Sequence, residues 1–411
     1  MNATIKSQLF EMINPQWYDF LQQRYKLKLK PAGKNHWVVN CPFHQESTAS
    51  GHVMMADAYY NYPRFKCFGC GEFYNPIDFV MAIEGLSYIE ACKILGGYVG
   101  MEITSEPKNP KHEAYKEKMD EHVRRYARCL PTNPTIYDYL TKERGLTEET
   151  LQRFMVGAVP SDEFKYRSDM SGIADRIAFP ILEHKLPNEA KCVGMGYRTL
   201  ADRQPNWDKA KDPKYRNDHS QTGDLEGVFV KGDLLYGYPM AFQAIRKNQY
   251  AILVEGYVDV LSLHQSGIHH SVGIMGTSFT ERQMDALRAL TSNIILFLDG
   301  DKAGVTHMLS YVQPLIQKGF SVKIIKAEDN KDPADICKAF KFVRSDVSSY
   351  ILRTAEPALN MMINTYASDY EKIVVKERMK ALNAVLPVIE QCSPAERMIY
   401  ESMLLKRLDV K

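Results

Sequence analysis

Apolar runs that each end in acid constrain this chain more than any other feature. Ala251–Val254 leads into Glu255, Gly256 and Asp259, and Ile294–Leu298 leads into Asp299, Gly300 and Asp301. Val322–Ile325 is followed, after a short polar stretch, by Asp332, Pro333, Ala334 and Asp335. Short runs rich in Ile, Val and Leu read as buried strands of a parallel sheet. With Ser271–Met275 they give four strands, Tyr250–Val254, Ser271–Met275, Ile294–Leu298 and Ser321–Ile325. Helices over about Val258–Gln265, Thr280–Leu290 and Ala303–Gln317 alternate with them, which predicts a Rossmann-like α/β unit.

Carboxylates at the carboxyl ends of such strands face the crevice where open α/β sheets bind ligands. Gathered there they repel one another, so their company predicts a divalent cation. An oxygen-only ligand set favours magnesium, calcium or manganese. One Asp-Gly pair is an ordinary turn; three acidic clusters in register with strand ends point to metal-dependent phosphate chemistry. Two of the acids could share a magnesium ion while Glu255 moves a proton or meets a second ion, and Asp332 and Asp335 would add outer ligands. Lys302 and Lys331, beside the acids, suit phosphate oxygens.

A second metal signal lies in the first hundred residues. Cys41-Pro42-Phe43-His44 and Cys67-Phe68-Gly69-Cys70 are two knuckles with two-residue gaps. Such gaps turn both side chains of a knuckle onto one ion, and two knuckles complete a tetrahedron. Cys41, His44, Cys67 and Cys70 therefore predict a closed, structural zinc site, with His36 and His52 as nearby alternative ligands. Gly69 and Gly71 permit the tight turn. Trp37, Tyr59, Tyr60, Tyr62, Phe65 and Phe68 surround the knuckles, interleaved with Arg24, Lys26, Lys28, Lys30, Lys34, Arg64 and Lys66. Aromatics with cations on a small sheet suit single-stranded nucleic acid; the same aromatics would also fill the thin core of a zinc module.

The chain has 411 residues, too many for one compact core. Its 45% apolar and 25% charged residues are those of a soluble globular protein, and a formal charge of +2 decides nothing about partners. No apolar run approaches the roughly 18–20 residues of a membrane span. The start lacks the basic-then-apolar layout of a signal peptide. The eight Cys are too thinly spread for a disulfide scaffold, which suits a reducing, cytoplasmic setting. Ile77–Leu95, with Gly85 and Ser87 at its middle, reads as two short helices, and Ile103–Lys111 as a linker. Glu113–Leu130 reads as a charged amphipathic helix, and Thr135–Leu140 and Thr147–Phe154 as two more. Phe154 to Tyr238 reads as short strands and loops, and Ala355–Lys411 as helical.

CPFH…FKCFGCGE resembles the zinc-binding module of bacterial DnaG-type primases, and IDFVMAIEGLSYIEA the helices that follow it. LVEGYVDVLSL, IMGTSFTERQ, FLDGDKAG and DPAD are similar to the successive motifs of the TOPRIM domain of those enzymes. RIAFPIL, VGMGYRTL and KYRN…VFVKGDLLYG resemble the amino-terminal half of their catalytic core. The resemblance implies an α/β (α+β overall) chain: a CHC2-type zinc ribbon over 1–100, a linker over 101–112, a basic subdomain over 113–245, a Rossmann-like TOPRIM domain over 246–340 and a helical segment over 341–411. It further implies catalytic Glu255, Asp299 and Asp301, with Asp259, Asp332 and Asp335 completing a magnesium or manganese site; the family's second acid of a DPD motif is Ala334 here, with Asp335 next to it. Arg176, Arg198, Lys214, Asn217 and Lys231 match positions lining the template or nucleotide groove.

The implied activity is synthesis of short RNA primers on single-stranded DNA from nucleoside triphosphates, with a replicative helicase as a partner in trans. The stretch after DPAD is too short for the family's usual helicase-binding domain, and no G-x-x-x-x-G-K-[ST] loop is present. Both departures suggest a phage, plasmid or mobile-element primase, or a chain without its last domain. The alternatives are another TOPRIM enzyme, a topoisomerase or nuclease, and a non-catalytic single-strand-binding module.

Overall fold

A computed structural model of the chain describes residues 3–57, 62–86, 88–103, 109–163, 172–185, 189–219, 223–276, 278–300, 302–327, 331–367 and 375–408. The chain forms two compact units, Met1–Pro110 and Lys111–Lys411. Among the described residues no helix is long and apolar enough to cross a membrane.

The first unit opens with α1 (Ala3–Ile13) and α2 (Trp17–Tyr25), two helices that the sequence pattern did not announce. Strands β1 (Lys30–Gly33), β2 (His36–Val39), β3 (Gly51–Met54), β4 (Arg64–Cys67) and β5 (Phe73–Tyr74) follow as an antiparallel sheet in chain order. Helices α3 (Pro76–Glu84) and α4 (Tyr88–Val99) close the unit. Asn75 fixes the start of α3: its side chain accepts the N–H groups of Ile77 and Asp78, and Pro76 takes the first helical position. Gly85, at φ +68°, ends it. The core is largely aromatic. Phe79 lies 5.3 Å from Phe43, 5.3 Å from Phe65 and 5.5 Å from Trp17, centroid to centroid.

The second unit begins with α5 (Pro110–Cys129), α6 (Pro134–Asp138) and α7 (Glu148–Arg153). An antiparallel sheet follows, β6 (Gly157–Ala158), β7 (Ile177–Leu182), β8 (Cys192–Arg198) and β9 (Tyr215–Asn217), paired in that order. Helix α8 (Tyr238–Asn248) leads into the α/β part: β10 (Ala251–Val254), α9 (Tyr257–Gln265), β11 (Ser271–Gly273), α10 (Glu281–Arg288), β12 (Asn293–Leu296), α11 (Lys302–Gln317), β13 (Ser321–Ile324) and α12 (Pro333–Ala339). After α13 (Arg344–Thr354), β14 (Glu356–Pro357) adds an antiparallel edge to β13, and α14 (Ala358–Tyr366), α15 (Val375–Ile389) and α16 (Pro394–Arg407) complete the chain.

The sheet order is β11-β10-β12-β13-β14, and its first four strands are parallel. From β10 the chain first crosses to β11 on one side and later to β12 on the other. The topological switch point, where such sheets bind ligands, therefore falls between β10 and β12. One apolar core joins the two sheets of this unit, with Ile177, Phe179 and Ile181 packing in the same cluster as Val254, Tyr257 and Phe297.

Candidate functional site

In the first unit the ligand atoms of Cys41, His44, Cys67 and Cys70 all lie within 4.8 Å of one another. The Sγ atoms of Cys41 and Cys70 are 3.8 Å apart, and a zinc tetrahedron with bonds of about 2.3 Å has edges of about 3.8 Å. Three thiols and one imidazole at this spacing fit zinc. Strand β4 carries Cys67, whose Sγ accepts the N–H groups of Gly69 and Cys70, each at 3.3 Å. A Cβ at Gly69 would stand 2.6 Å from Ser50 Oγ and 2.9 Å from His44 Nε2, so the close approach of the two knuckles requires glycine there. His36 and His52 are not part of the set. They face each other across β2 and β3, Nε2 to Nδ1 at 2.7 Å.

Glu46, which the sequence reading missed, organises this corner. Its carboxylate accepts the N–H of Cys41 at 2.6 Å and that of Ser50 at 3.0 Å, and Oε2 lies 3.1 Å from His44 Nε2. Nδ1 of His44 is thereby left to face the sulfurs, 3.9 Å from Cys67 Sγ. A carboxylate on the far nitrogen is the common way of orienting a metal-bound imidazole. The Ser50 hydroxyl, with these N–H groups, pulls the Glu46 carboxyl down to about 2. The only sequence signal for Glu46 was its place two residues after the knuckle histidine.

The aromatics around the knuckles divide. Phe65 is core, Trp37 is half-buried against Tyr18, and Phe68 is 68% exposed beside His52. Arg64 is buried with Asp57. Tyr59 and Tyr60 lie outside the described residues.

In the second unit the acids arrive at the switch point. Glu255 follows β10, and Asp299 lies three residues beyond the end of the neighbouring β12. Asp332 caps α12 beyond the next strand, β13, accepting the Asp335 N–H at 2.6 Å. Gly300 makes the turn after Asp299 possible. Its N–H donates to the carbonyl of Lys331, and a Cβ there would stand 2.7 Å from the carbonyl oxygen of Ala327. Asp259, in the first turn of α9, is buried and accepts the N–H of Gly256 at 3.0 Å and of Ala334 at 3.3 Å. Burial, then the charges of Asp332 and Asp299, push its carboxyl well above the usual range, and burial raises Asp332 as well. Crowded carboxylates with raised affinity for protons fit a divalent cation, which would relieve the same repulsion. These acids are not as tightly gathered as the knuckles. Among the described residues the zinc quartet alone brings its ligand atoms within 4.8 Å. Asp301 and the Lys302 side chain lie outside the described residues.

The basic residues sort into two kinds. Arg176, expected to line a groove, is 2% exposed and sits behind it. Its guanidinium donates to the carbonyls of Gly172 and Pro213 and pairs with Asp212, so it shapes the segment ahead of Lys214. Arg198, 3% exposed, donates to the Thr199 carbonyl and to Asp202, and stands 4.7 Å from the Tyr139 ring centroid. Arg144 and Arg203 approach the same ring at 5.5 and 5.6 Å. These four side chains, with Glu143, Ala334, Asp335 and Lys338, line a cavity of about 260 Å³. Four cations there face two carboxylates, a balance that favours an anion. Asp335 faces Arg144, 3.9 Å away, across this cavity. Tyr139, Arg144 and Lys338 carry no functional signal in the sequence; with Arg198 and Arg203 they come together from segments almost 200 residues apart.

Lys214 links this cavity to the acids. Burial, then the Arg198 charge, pushes its ammonium down, while Asp299 pulls it up. Lys231 stands beside Gly276, where a Cβ would meet its Nζ at 3.0 Å, and burial lowers its ammonium too. Asn217 accepts a hydrogen bond from the hydroxyl of Tyr257, the residue just after the Glu255-Gly256 turn. Tyr257 stacks on Phe179 at 4.7 Å and passes over Gly196, where any Cβ would collide with its ring.

Residues 15–111 match the CHC2 zinc finger family, and residues 252–337 match the Toprim-like family. The chain is 30% identical to the DNA primase of Clostridium acetobutylicum over 411 aligned residues, which are 91% of this chain and 63% of that protein. It thus spans under two thirds of that relative's length. Among solved structures it is similar to the zinc-binding and RNA polymerase domains of the Aquifex aeolicus primase, with a TM-score of 0.58 and 25% identity, covering 100% of this chain and 98% of that one. A DnaG primase catalytic domain bound to single-stranded DNA shares the fold, with a TM-score of 0.57 and 23% identity over 72% of this chain and 96% of that one.

Proposed function

Since the chain is similar to the DnaG-type primases in sequence and fold, we propose that it makes short RNA primers on single-stranded DNA. The observation that carries this reading is the meeting, within one unit, of carboxylates at the sheet's switch point and a cationic cavity behind Lys214. In the proposed reaction the 3′ hydroxyl of the growing primer attacks the α-phosphate of a nucleoside triphosphate, a new P–O bond forms, and pyrophosphate leaves. Glu255, Asp299, Asp301 and Asp332 would hold magnesium or manganese, which supplies charge neutralisation at the phosphates. A carboxylate oxygen of Glu255 takes the proton of the attacking hydroxyl. Lys214 and Lys231 meet phosphate oxygens, and the Arg144–Arg198–Arg203 cavity receives a backbone or nucleotide phosphate.

Asp259 braces the first turn of α9 against α12, and Asp335 sets the charge in front of Arg144. Zinc at Cys41, His44, Cys67 and Cys70 holds the first unit folded, with Phe68 free to stack on a template base. The setting that fits is the cytoplasm of a bacterial cell, with a helicase as partner in trans.

Purified protein with magnesium or manganese, four ribonucleotides and mixed-sequence single-stranded DNA should yield labelled oligonucleotides. Asp299→Ala should reduce the yield at least about a thousandfold while retaining template binding. No product from the wild-type chain, or equal product from Asp299→Ala, overturns the reading. Nicking of supercoiled DNA without nucleotides would instead favour another Toprim chemistry.

A further inference from the structure

Three imidazoles and two guanidiniums gather where α9 ends, away from the acids at its start. His264 lies in the last turn of α9, and His269 and His270 follow in the loop that leads into β11. Arg153 reaches them from the last turn of α7, its Nη1 3.4 Å from Nδ1 of His269. Arg344 reaches them from the start of α13. A Cβ at Gly267, where the loop turns at φ +75°, would stand 2.9 Å from its Cδ, so glycine lets the side chain lie across the loop. The His264 and His269 rings are 5.5 Å apart, centroid to centroid, and the Tyr250 ring stands 4.4 Å from that of His270.

The cluster is short of negative charge. Among the described residues neither Arg153 nor Arg344 pairs with a carboxylate. Burial, then the charges of Arg153 and Arg344, push the His269 imidazolium down, and His270 is held neutral by burial, His269 and Arg344. Asp346, the acid in the first turn of α13, takes the hydroxyl of Ser345 instead. Val343 gives α13 no side-chain cap, so the positive end of that helix adds to the same field.

Two donors stand ready beside the guanidiniums. A guanidinium only donates, so Nδ1 of His269 accepts from Arg153 and the neutral ring keeps its hydrogen on Nε2. His270 is 7% exposed, and its Nε2 is buried without a hydrogen-bond partner among the described residues. A buried polar atom left so is costly until something completes it. A metal ion does not fit: guanidiniums stand among the rings, and the three imidazoles do not bring their nitrogens within 4.8 Å of one another.

We propose that Arg153, His269, His270 and Arg344 form an anion site for a phosphate dianion, inorganic phosphate or the terminal phosphate of a nucleotide, separate from the carboxylates at the switch point. Two unopposed guanidiniums match the two charges of a monoester phosphate, whereas a backbone diester carries one. Arginine meets phosphate oxygens through paired N–H groups, and the His269 Nε2–H supplies a further bond.

Titration of the full chain, carrying 15N-histidine, with inorganic phosphate at pH 7.5 and without divalent cations tests the site. The ring signals of His269 and His270, assigned from His269→Gln and His270→Gln, should move saturably. Arg153→Gln with Arg344→Gln should weaken binding at least about tenfold. Both arginines are exposed, so an unchanged melting temperature shows an intact fold; if the double variant melts early, the wild-type signals decide alone. Adenosine monophosphate separates the two sources: tighter binding than inorganic phosphate assigns the site to a nucleotide, equal or weaker binding to the free ion. Signals that do not move, equal movement with chloride (an adventitious ion only), binding unchanged in a folded double variant, or tighter occupancy by an oligonucleotide without terminal phosphates each overturns the assignment.

Discussion

The hydroxyl of Tyr257 donates to Oδ1 of Asn217, tying the turn that carries Glu255 to the strand that Lys214 leads into. Acidic and basic halves of the candidate site are built on different sheets, and this bond, with the Tyr257–Phe179 stack, fixes one against the other. Tyr257→Phe keeps the stack and removes the bond, which costs about 1 kcal/mol of stability. If the bond positions Asn217 and Lys214, the variant should raise KM for nucleotide several-fold with a smaller change in kcat. Tyr257→Phe with wild-type kinetics and a lowered melting temperature would assign the bond to stability alone.

The DPAD corner separates two carboxylates that neighbour each other in sequence. Asp332 caps α12 and raises the proton affinity of Asp259, whereas Asp335 stands 3.9 Å from Arg144. Asp335→Ala should therefore leave divalent-cation affinity within about twofold and increase affinity for single-stranded DNA, with a steeper salt dependence from the unopposed Arg144 charge. Asp332→Ala should do the opposite, weakening cation binding and also removing a helix cap worth about 1 kcal/mol. Isothermal titration with manganese and fluorescence anisotropy with a labelled oligonucleotide separate the two.

These geometries mark where the sequence was legible. The strands between Ala251 and Ala339 were legible because β10 is a short apolar run buried on both faces and β13 alternates exposed with buried positions, two patterns that mark a strand. The zinc quartet was legible because each knuckle sets its two ligands at a two-residue gap, a spacing that His36 and His52 do not share. Glu46 was hidden because an acid beside a knuckle has no spacing rule of its own. The packing of Arg176 on the Gly172 and Pro213 carbonyls was hidden because a positive charge in sequence does not say whether it faces solvent or a backbone carbonyl. Of the cavity around Tyr139 only Arg198 and Arg203 carried a signal in sequence, since Tyr139, Arg144 and Lys338 join them only after both sheets of the second unit have formed. Strand β14 escaped because a two-residue strand has no period.

Glu46 holds His44 from behind, so its removal should loosen zinc without removing a ligand. Glu46→Gln is expected to lower zinc affinity about 10–100-fold. Competition with a chromogenic chelator measures the shift. Stripping zinc from the wild type should lose the protected amides of β2, β3 and β4 in hydrogen exchange and leave those of β10 and β12 unchanged, because the second unit has its own core. Equal chelator competition by Glu46→Gln and wild type would reduce the Glu46 contact to a loop brace.

The last prediction concerns acid. His264 on α9 is buried against Phe154, and its Nε2–H donates to the Ser271 carbonyl at 3.0 Å. Burial pushes its imidazolium down to about 3, and that of buried His270 to about 4. An unfolded imidazole takes its proton near pH 6.5, while the folded ones refuse it until the medium is far more acidic. Their contribution to stability is therefore fully present above pH 6.5 and is lost as pH falls from there toward about 4 for His270 and about 3 for His264. For His264 the full shift corresponds to at most about 4–5 kcal/mol, from about 1.4 kcal/mol per pH unit. His264→Gln keeps a donor for the Ser271 carbonyl and cannot take up the proton. Urea melts at intervals from pH 7.5 to 4.5 should show a wild type losing stability faster than the variant, with the curves converging toward neutral pH. Parallel curves across the range would mean that His264 stays neutral in the unfolded chain or charges without opening the fold.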